Sequence, residues 1–409
     1  MKNKKKTIVQ IFARDFQEAP RIVQMCRDLD KNNFNVIRLL YGKRKETKKY
    51  TENFETIIIK KKGKLNSQPS NEISFKDIID FGLQGSKKLK MINAHNKIDI
   101  LHCHRHSALI PAFIAKLRGV NGKIVLDYHD PWSGESTIGL NEKISLSKRI
   151  KIKIFHLFER ISLHFINHIV IVSAPQKKLL SKKYNIKDSK FTMITNSAAI
   201  ANAKFFNPNN KNKKRFGWQG KKVVLFTGCI VPYFGVDLLI DSVPLVLKKV
   251  PKALFIIKIA EEIKEKEFYN NLLKKINKDH TTKNIIFIED WFSEEKYASF
   301  VCSTDIGIIC HKPTLLTKTA DPDKLYEYLS AGLPIVATDL EIMKRYIQHG
   351  KNGFIVKHNA NDISNALIKI LNNKKMQEKM GQNSYNMRFD WKDDFEKLLK
   401  TYNLLLGIN

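Results

Sequence analysis

Cysteine is scarce in this sequence of 409 residues: there are five, Cys26, Cys103, Cys229, Cys302 and Cys310, an odd number with no CxxC pair. That pattern excludes a disulfide frame and a cysteine zinc site, and it fits a reducing cytosol. Long apolar runs are missing as well. No stretch approaches the roughly 18 to 20 residues that a membrane span needs, so a soluble chain is expected. MKNKKKTIVQIF opens on basic residues but runs straight into a strand pattern with no small-residue cleavage site, which argues against a signal peptide. Acid is the other shortage: 40 Asp+Glu stand against 72 Lys+Arg, a net charge of +32. Three readings of that charge stay open. It fits salt-sensitive phosphate binding to nucleic acid, attraction to an anionic membrane at about 1 kcal/mol per well-placed basic residue, or plain lysine, isoleucine and asparagine bias. Arginine is scarce beside lysine and no nucleic-acid module is recognisable, so no specific nucleic-acid partner is expected.

A hydrophobic content of 43% with 10% aromatics is ample for packed cores, and the length suits two α/β domains of roughly 200 residues each. TIVQIFA, a helix from Pro20 and FNVIRLL give a βαβ opening, with Arg14 and Arg21 in the intervening segment as surface arginines or anion contacts. The polar, turn-rich NPNNKNKKRFGWQG at residues 207–220 reads as a linker, after which the strand and helix pattern restarts with KVVLFTGCIVPYFG. The expected division is residues 1–206, the linker 207–220, residues 221–384 and a closing helical segment 385–409.

The stretch most telling for function is residues 321–356, DPDKLYEYLSAGLPIVATDLEIMKRYIQHGKNGFIV. Asp321 is expected to cap a helix with Pro322 in its first position. Leu325 and Leu329 supply the apolar face, and Gly332 takes the left-handed residue that ends it. A strand, a second helix, a turn and another strand follow. A helix N-terminus at the carboxyl ends of parallel strands favours an anion such as a nucleoside diphosphate. Lys324 and Glu327 share one side of this helix. They read either as a solvated ion pair or as a phosphate cation and a carboxylate that accepts ribose hydroxyls.

Upstream, IDILHCHRHS places His102, His104 and His106 at a strand end, to line a cleft or to hold a metal; a closed zinc site needs a further ligand that nothing nearby in sequence supplies. KIVLD then delivers YHDPWS at its carboxyl end, where His129 either packs under Trp132 or orients a ligand hydroxyl. Residues 143–167, KISLSKRIKIKIFHLFERISLHFIN, are basic and amphipathic, suited to packing on a sheet or to lying on an anionic bilayer. Trp291, after NIIFIED, reads as core or as a stacking platform.

PDKLYEYLSAGLPIVATD followed by GKNGFIV resembles the donor-binding segment of the retaining family 4 glycosyltransferases with the GT-B fold. YHDPWS, HIVIVS, FTMITNSA and the closing FDWKDDFEKLLKTYNLLL resemble further positions of that family. The resemblance implies two Rossmann-like domains facing across a cleft, a C-terminal helix crossing back to the N-terminal domain, and transfer from a nucleotide sugar to a lipid-linked or polymeric cell-surface glycan. By the same resemblance His129 and Asp130 stand at the catalytic position, Ser173 and Asn196 near the crevice, and Glu327 is the ribose ligand. Lys324, Lys258, Gly228, Gly235 and Tyr326 are its expected companions at the donor. Thr319 stands where the family carries its first glutamate, and Tyr233 and Phe234 where it carries basic residues. These departures leave a second reading, a catalytically inactive GT-B protein that serves as a binding or partner subunit. The implied chemistry needs no cofactor and no metal, and the implied place is the cytoplasm, peripheral on the inner face of the membrane.

Overall fold

The structure, a computed structural model, describes residues 5–13, 20–42, 48–61, 75–129, 146–197, 205–209, 211–259 and 265–408. The chain divides into two compact units, one of Met1–Ala198 with Asp390–Asn409 and the other of Ala199–Phe389.

In the first unit the strands are β1 (Thr7–Phe12), β2 (Asn35–Gly42), β3 (Lys48–Lys49), β4 (Phe54–Lys60), β5 (Ile98–His104), β6 (Lys123–Tyr128), β7 (His168–Ile171) and β8 (Phe191–Met193). Among the described residues they form one sheet in the order β3-β4-β2-β1-β5-β6-β7-β8, parallel except for the short β3. Its helices are α1 (Pro20–Lys31), α2 (Phe75–His95), α3 (Leu109–Leu117), α4 (Leu146–Phe165) and α5 (Ala174–Tyr184). Runs such as Ile8–Val9–Ile11 and Ile124–Val125–Leu126 are buried throughout, as expected of parallel strands covered on both faces. The strand order reverses between β1 and β5, which opens a crevice at their carboxyl ends.

The second unit carries β9 (Lys222–Gly228), β10 (Ala253–Ile259), β11 (Ile285–Ile288), β12 (Ile306–Ile309), β13 (Ile335–Thr338) and β14 (Gly353–Val356), an all-parallel sheet in the order β11-β10-β9-β12-β13-β14. Its helices are α6 (Val236–Leu247), α7 (Lys266–Lys278), α8 (Glu294–Cys302), α9 (Leu315–Thr319), α10 (Asp323–Ser330), α11 (Ala360–Leu371) and α12 (Lys374–Asn386). The reversal here lies between β9 and β12. A last helix, α13 (Trp391–Leu406), packs in the first unit, where Tyr402, Leu398 and Phe395 join the core beside Ile8, Met25 and Ile100.

Two local expectations are corrected. Helix α10 starts at Asp323 with Pro322 in the capping position and no side-chain cap. Asp321 is turned inward instead, accepting hydrogen bonds from the Tyr326 and Tyr346 hydroxyls at 2.6 and 2.5 Å. The segment after β13 is a single 3-10 turn, Glu341–Arg345, rather than an α-helix. Burial of Ile342 and Met343 holds it down, and five residues are too few for α propagation. Gly332 ends α10 with φ 62°. Among the described residues no helix is long and apolar enough to cross a membrane.

Candidate functional site

The second unit gathers its chemistry at the carboxyl edge of its sheet, on the reversal between β9 and β12. Gly228 ends β9 with φ +143°, and a Cβ there would lie 2.8 Å from the Lys324 Nζ. Glycine is therefore what lets the ammonium sit over the strand end. Lys324, in the first turn of α10, lies between the rings of Phe226 and Phe234, 4.8 Å from each centroid, with His311 Nε2 at 3.4 Å. Burial pushes this lysine down to about 8. Half-buried Glu327, one turn on, accepts a hydrogen bond from the Tyr297 hydroxyl at 2.7 Å. Burial raises its carboxyl above the usual value, against the pull of Tyr297 and Lys324.

Gly235 makes the neighbouring turn with φ 69°, and any Cβ there would meet the Cys310 carbonyl oxygen at 1.9 Å. Lys258 sits one residue before the pairing of Ile259 with Gly228, so it belongs to the same sheet edge. It is buried, donates to the Ile259 carbonyl at 2.7 Å and lies 5.5 Å from the Phe292 ring centroid. Thr319 and Tyr326 are placed differently. The Thr319 hydroxyl donates to the Leu315 carbonyl of its own short helix at 2.9 Å. Tyr326 is fully buried, its hydroxyl shared between Asp321 and Tyr346, so it anchors α10 to the core rather than lining the edge where Lys324 sits.

In the first unit the corresponding edge holds a buried polar cluster. Asp127, in β6, is fully buried, and its Oδ1 accepts from Arg21 Nη2 at 3.0 Å. Its Oδ2 lies 3.2 Å from His104 Nδ1, 3.4 Å from His129 Nε2 and 3.8 Å from His102 Nε2. Burial by itself raises the Asp127 carboxyl, but Arg21 and the surrounding imidazoles hold it well below the carboxylate range. Burial likewise drives His104 down to about 3. His129 keeps 20% of its side chain exposed, and its carbonyl accepts from Gln176 Nε2 at 3.1 Å.

Sequence reasoning missed several of these partners. Arg21 is no surface residue: it is 6% exposed and also donates to Asn196 Oδ1 at 3.0 Å. An acid inside the apolar run KIVLDY was the available signal for Asp127; nothing in the sequence marked Tyr297 or His311. Ser173 caps α5 by accepting from the Gln176 amide. Trp291 is 83% exposed and not core. Arg14, Asp130 and Trp132 lie outside the described residues.

Two parallel-sheet α/β units, each with polar groups gathered where the strand order reverses, define the class of GT-B-like sugar-nucleotide folds. Sucrose-phosphate synthase from Thermosynechococcus elongatus superposes with a TM-score of 0.77 at 14% identity, covering 98% of this chain and 100% of that one. HepE from Anabaena, solved with UDP, gives 0.68 at 13% identity over 98% and 100%. The family model described as glycosyl transferases group 1 matches residues 208–387, and that of glycosyltransferase family 4 matches residues 21–199. The chain belongs to this glycosyltransferase family. A curated relative, the chitobiosyldiphosphodolichol beta-mannosyltransferase of Candida albicans, is 22% identical over 240 residues, 57% of this chain and 50% of its own. The chain thus spans about half the length of curated relatives that it matches.

Proposed function

We propose that this protein is a retaining glycosyltransferase that moves a sugar from a nucleoside-diphosphate sugar to a lipid-linked or polymeric cell-surface glycan. The observation that carries the reading is the lysine held over glycine at the reversal of the second sheet. Lys324 and the uncapped first turn of α10 neutralise the leaving diphosphate, with Lys258 as a second cation on the same edge. Glu327, oriented by Tyr297, accepts the ribose hydroxyls. Gly228 makes room for the Lys324 ammonium and Gly235 for the Cys310 carbonyl at this edge, and exposed Trp291 offers a face for the base. His129, whose Nε2 lies 3.4 Å from Asp127 Oδ2, is the catalytic candidate of the first unit. With lysines and amides carrying the leaving charge, that step needs no metal. Among the described residues no pair of acids stands ready for double displacement, so in this reading departure and attack share one face of the sugar.

A membrane-bound acceptor is supported by α4, whose outer face exposes Leu146, Ile150, Ile154, Leu157, Ile161 and Phe165 beside Arg149, Lys153 and Arg160. The lipid-diphosphate name of the Candida relative and the UDP bound to HepE are consistent with both substrates. The second reading, an inactive binding subunit, is favoured by Thr319 bonding back to its own helix and by aromatic Tyr233 and Phe234 in place of bases.

The test is a panel of nucleotide sugars titrated calorimetrically against wild type and Glu327→Gln, followed by the anomeric configuration of any product. Glu327→Gln is expected to weaken donor binding by about 1.5–3 kcal/mol, the worth of a hydrogen bond to a charged group. Unaltered donor binding removes Glu327 from the site, and tight binding without turnover on any acceptor favours the second reading.

A further inference from the structure

The cluster around Asp127 brings three imidazole nitrogens within 3.8 Å of one carboxylate oxygen, and we propose that the first unit binds a zinc-type divalent cation there. The ligand atoms are His102 Nε2, His104 Nδ1, His129 Nε2 and Asp127 Oδ2. They come from β5, β6 and the residue that follows β6, so the fold joins two ligands distant in sequence, Asp127 and His129, to the two histidines of β5. A tetrahedral ion with bonds of about 2.0–2.1 Å sets its ligands about 3.3–3.4 Å apart. Asp127 Oδ2 stands 3.2, 3.4 and 3.8 Å from the three imidazole nitrogens, and His104 Nδ1 stands 3.3 Å from His129 Nε2. His102, His104 and Asp127 have no solvent-exposed surface.

Hydrogen bonding points the same way. Neither His102 Nε2 nor Asp127 Oδ2 makes a hydrogen bond among the described residues, although both are buried. Two such atoms facing each other are costly unless something joins them. The Gln10 amide nitrogen is directed at the Tyr402 hydroxyl, at 3.3 Å, and at Met25 Sδ, at 3.5 Å, which leaves its Oε1 2.7 Å from His104 Nε2. That nitrogen must then carry the ring proton. His104 Nδ1 is left as a lone pair, 3.2 Å from a carboxylate oxygen and 3.3 Å from His129 Nε2, an arrangement that a cation among the three resolves.

Three of the four ligands are also braced from behind, as metal ligands are: His102 Nδ1 by the Tyr402 hydroxyl at 2.5 Å, His104 by Gln10, and Asp127 Oδ1 by Arg21. Three imidazole nitrogens and one carboxylate suit zinc over magnesium or calcium, which prefer oxygen. The ion ties β5 and β6 together and, through Tyr402, fixes α13 against them. It is separate from the leaving-group chemistry proposed for the second unit and does not rest on it.

The untagged full chain is freed of metal with chelator, then titrated with Zn2+ and, separately, with Co2+. Expected are one equivalent of Zn2+ per chain, a rise in melting temperature, and the intense visible bands of tetrahedral cobalt. His129→Ala, the least buried ligand, should abolish those bands. Tyr402→Phe, which keeps the ring in the core, should lower Zn2+ affinity roughly 10- to 100-fold. Absence of stoichiometric Zn2+ uptake by folded wild type, or uptake unchanged in both variants, overturns the proposal.

Discussion

Lys324 is an ammonium set among aromatic rings, with Cys310 and His311 at its back, and the loss of water is what moves it. Its ordinary value is 10.5 and burial lowers it to about 8, so in the free protein the charge is lost as pH rises through that lower value. A bound diphosphate opposes the loss and raises the pKa again, so binding above it must take up a proton. The affinity for a nucleoside diphosphate is therefore expected to be flat below pH 8 and to fall by up to about tenfold per unit above it. Calorimetry in two buffers of different ionisation enthalpy reads the proton directly. Lys324→Met should be weaker throughout and have no such slope; a slope that persists in this variant assigns it to another group. At this scale the i, i+3 spacing of Lys324 and Glu327 was legible as one side of a helix, and α10 carries both. The sequence was illegible where the partner comes from another strand. Nothing near Asp127 in the chain announces Arg21 or His104, which reach it only once β1, β5 and β6 lie side by side.

Helix α13 shows how a single acid seats an element. Asp394, in its first turn, is 4% exposed; its Oδ2 accepts from the Thr195 amide at 2.9 Å, the Thr195 hydroxyl at 2.5 Å and the Ser197 hydroxyl at 3.0 Å. Lys397 holds Oδ1 at 2.7 Å. Burial works to raise this carboxyl, but the Lys397 and Thr195 bonds outweigh it and its pKa ends below the ordinary 3.8. A depressed carboxyl contributes stability that is present above its unfolded value and lost as pH falls through the folded one, so this anchor weakens only in acid. Asp394→Ala leaves the Thr195 and Ser197 donors without their acceptor. It is expected to cost roughly 2–4 kcal/mol, read as a lower urea midpoint at unchanged slope. A shift below ~0.5 kcal/mol would mean that apolar packing alone seats the helix. The resemblance implied both the closing helix and where it packs. The hydroxyls that receive Asp394 sit in TNS after β8, a segment whose sequence looks like any turn. The cap of α10 failed for the complementary reason: Asp321 has the right type and position, but two buried tyrosines compete for the same oxygens and win.

A net charge of +32 acts on the molecule as a whole, and α4 gives it a direction. The inner side of α4 is fastened by Glu159, buried and hydrogen-bonded to the Tyr128 and Tyr184 hydroxyls. The outer side repeats apolar residues from Leu146 to Phe165 in steps of three and four, exposed by 49% to 74%, which no packing among the described residues covers. Apolar area flanked by Arg149, Lys153 and Arg160 matches an anionic bilayer better than it matches a nucleic acid, which offers no hydrocarbon. Binding to vesicles of mixed neutral and anionic phospholipid should thus have two separable parts. Raising salt from 0.1 M to 1 M shortens the screening length from about 10 Å to about 3 Å and should remove most of the electrostatic part. Ile154→Glu with Leu157→Glu should remove the apolar part at any salt while leaving the melting temperature and soluble nucleotide affinity unchanged, since both side chains are more than half exposed. Sedimentation with vesicles measures both. If the double variant still sediments with vesicles as wild type does, the surface of α4 is not the docking face. If instead generic duplex DNA binds with a steep salt slope while vesicles do not, the basic charge serves nucleic acid.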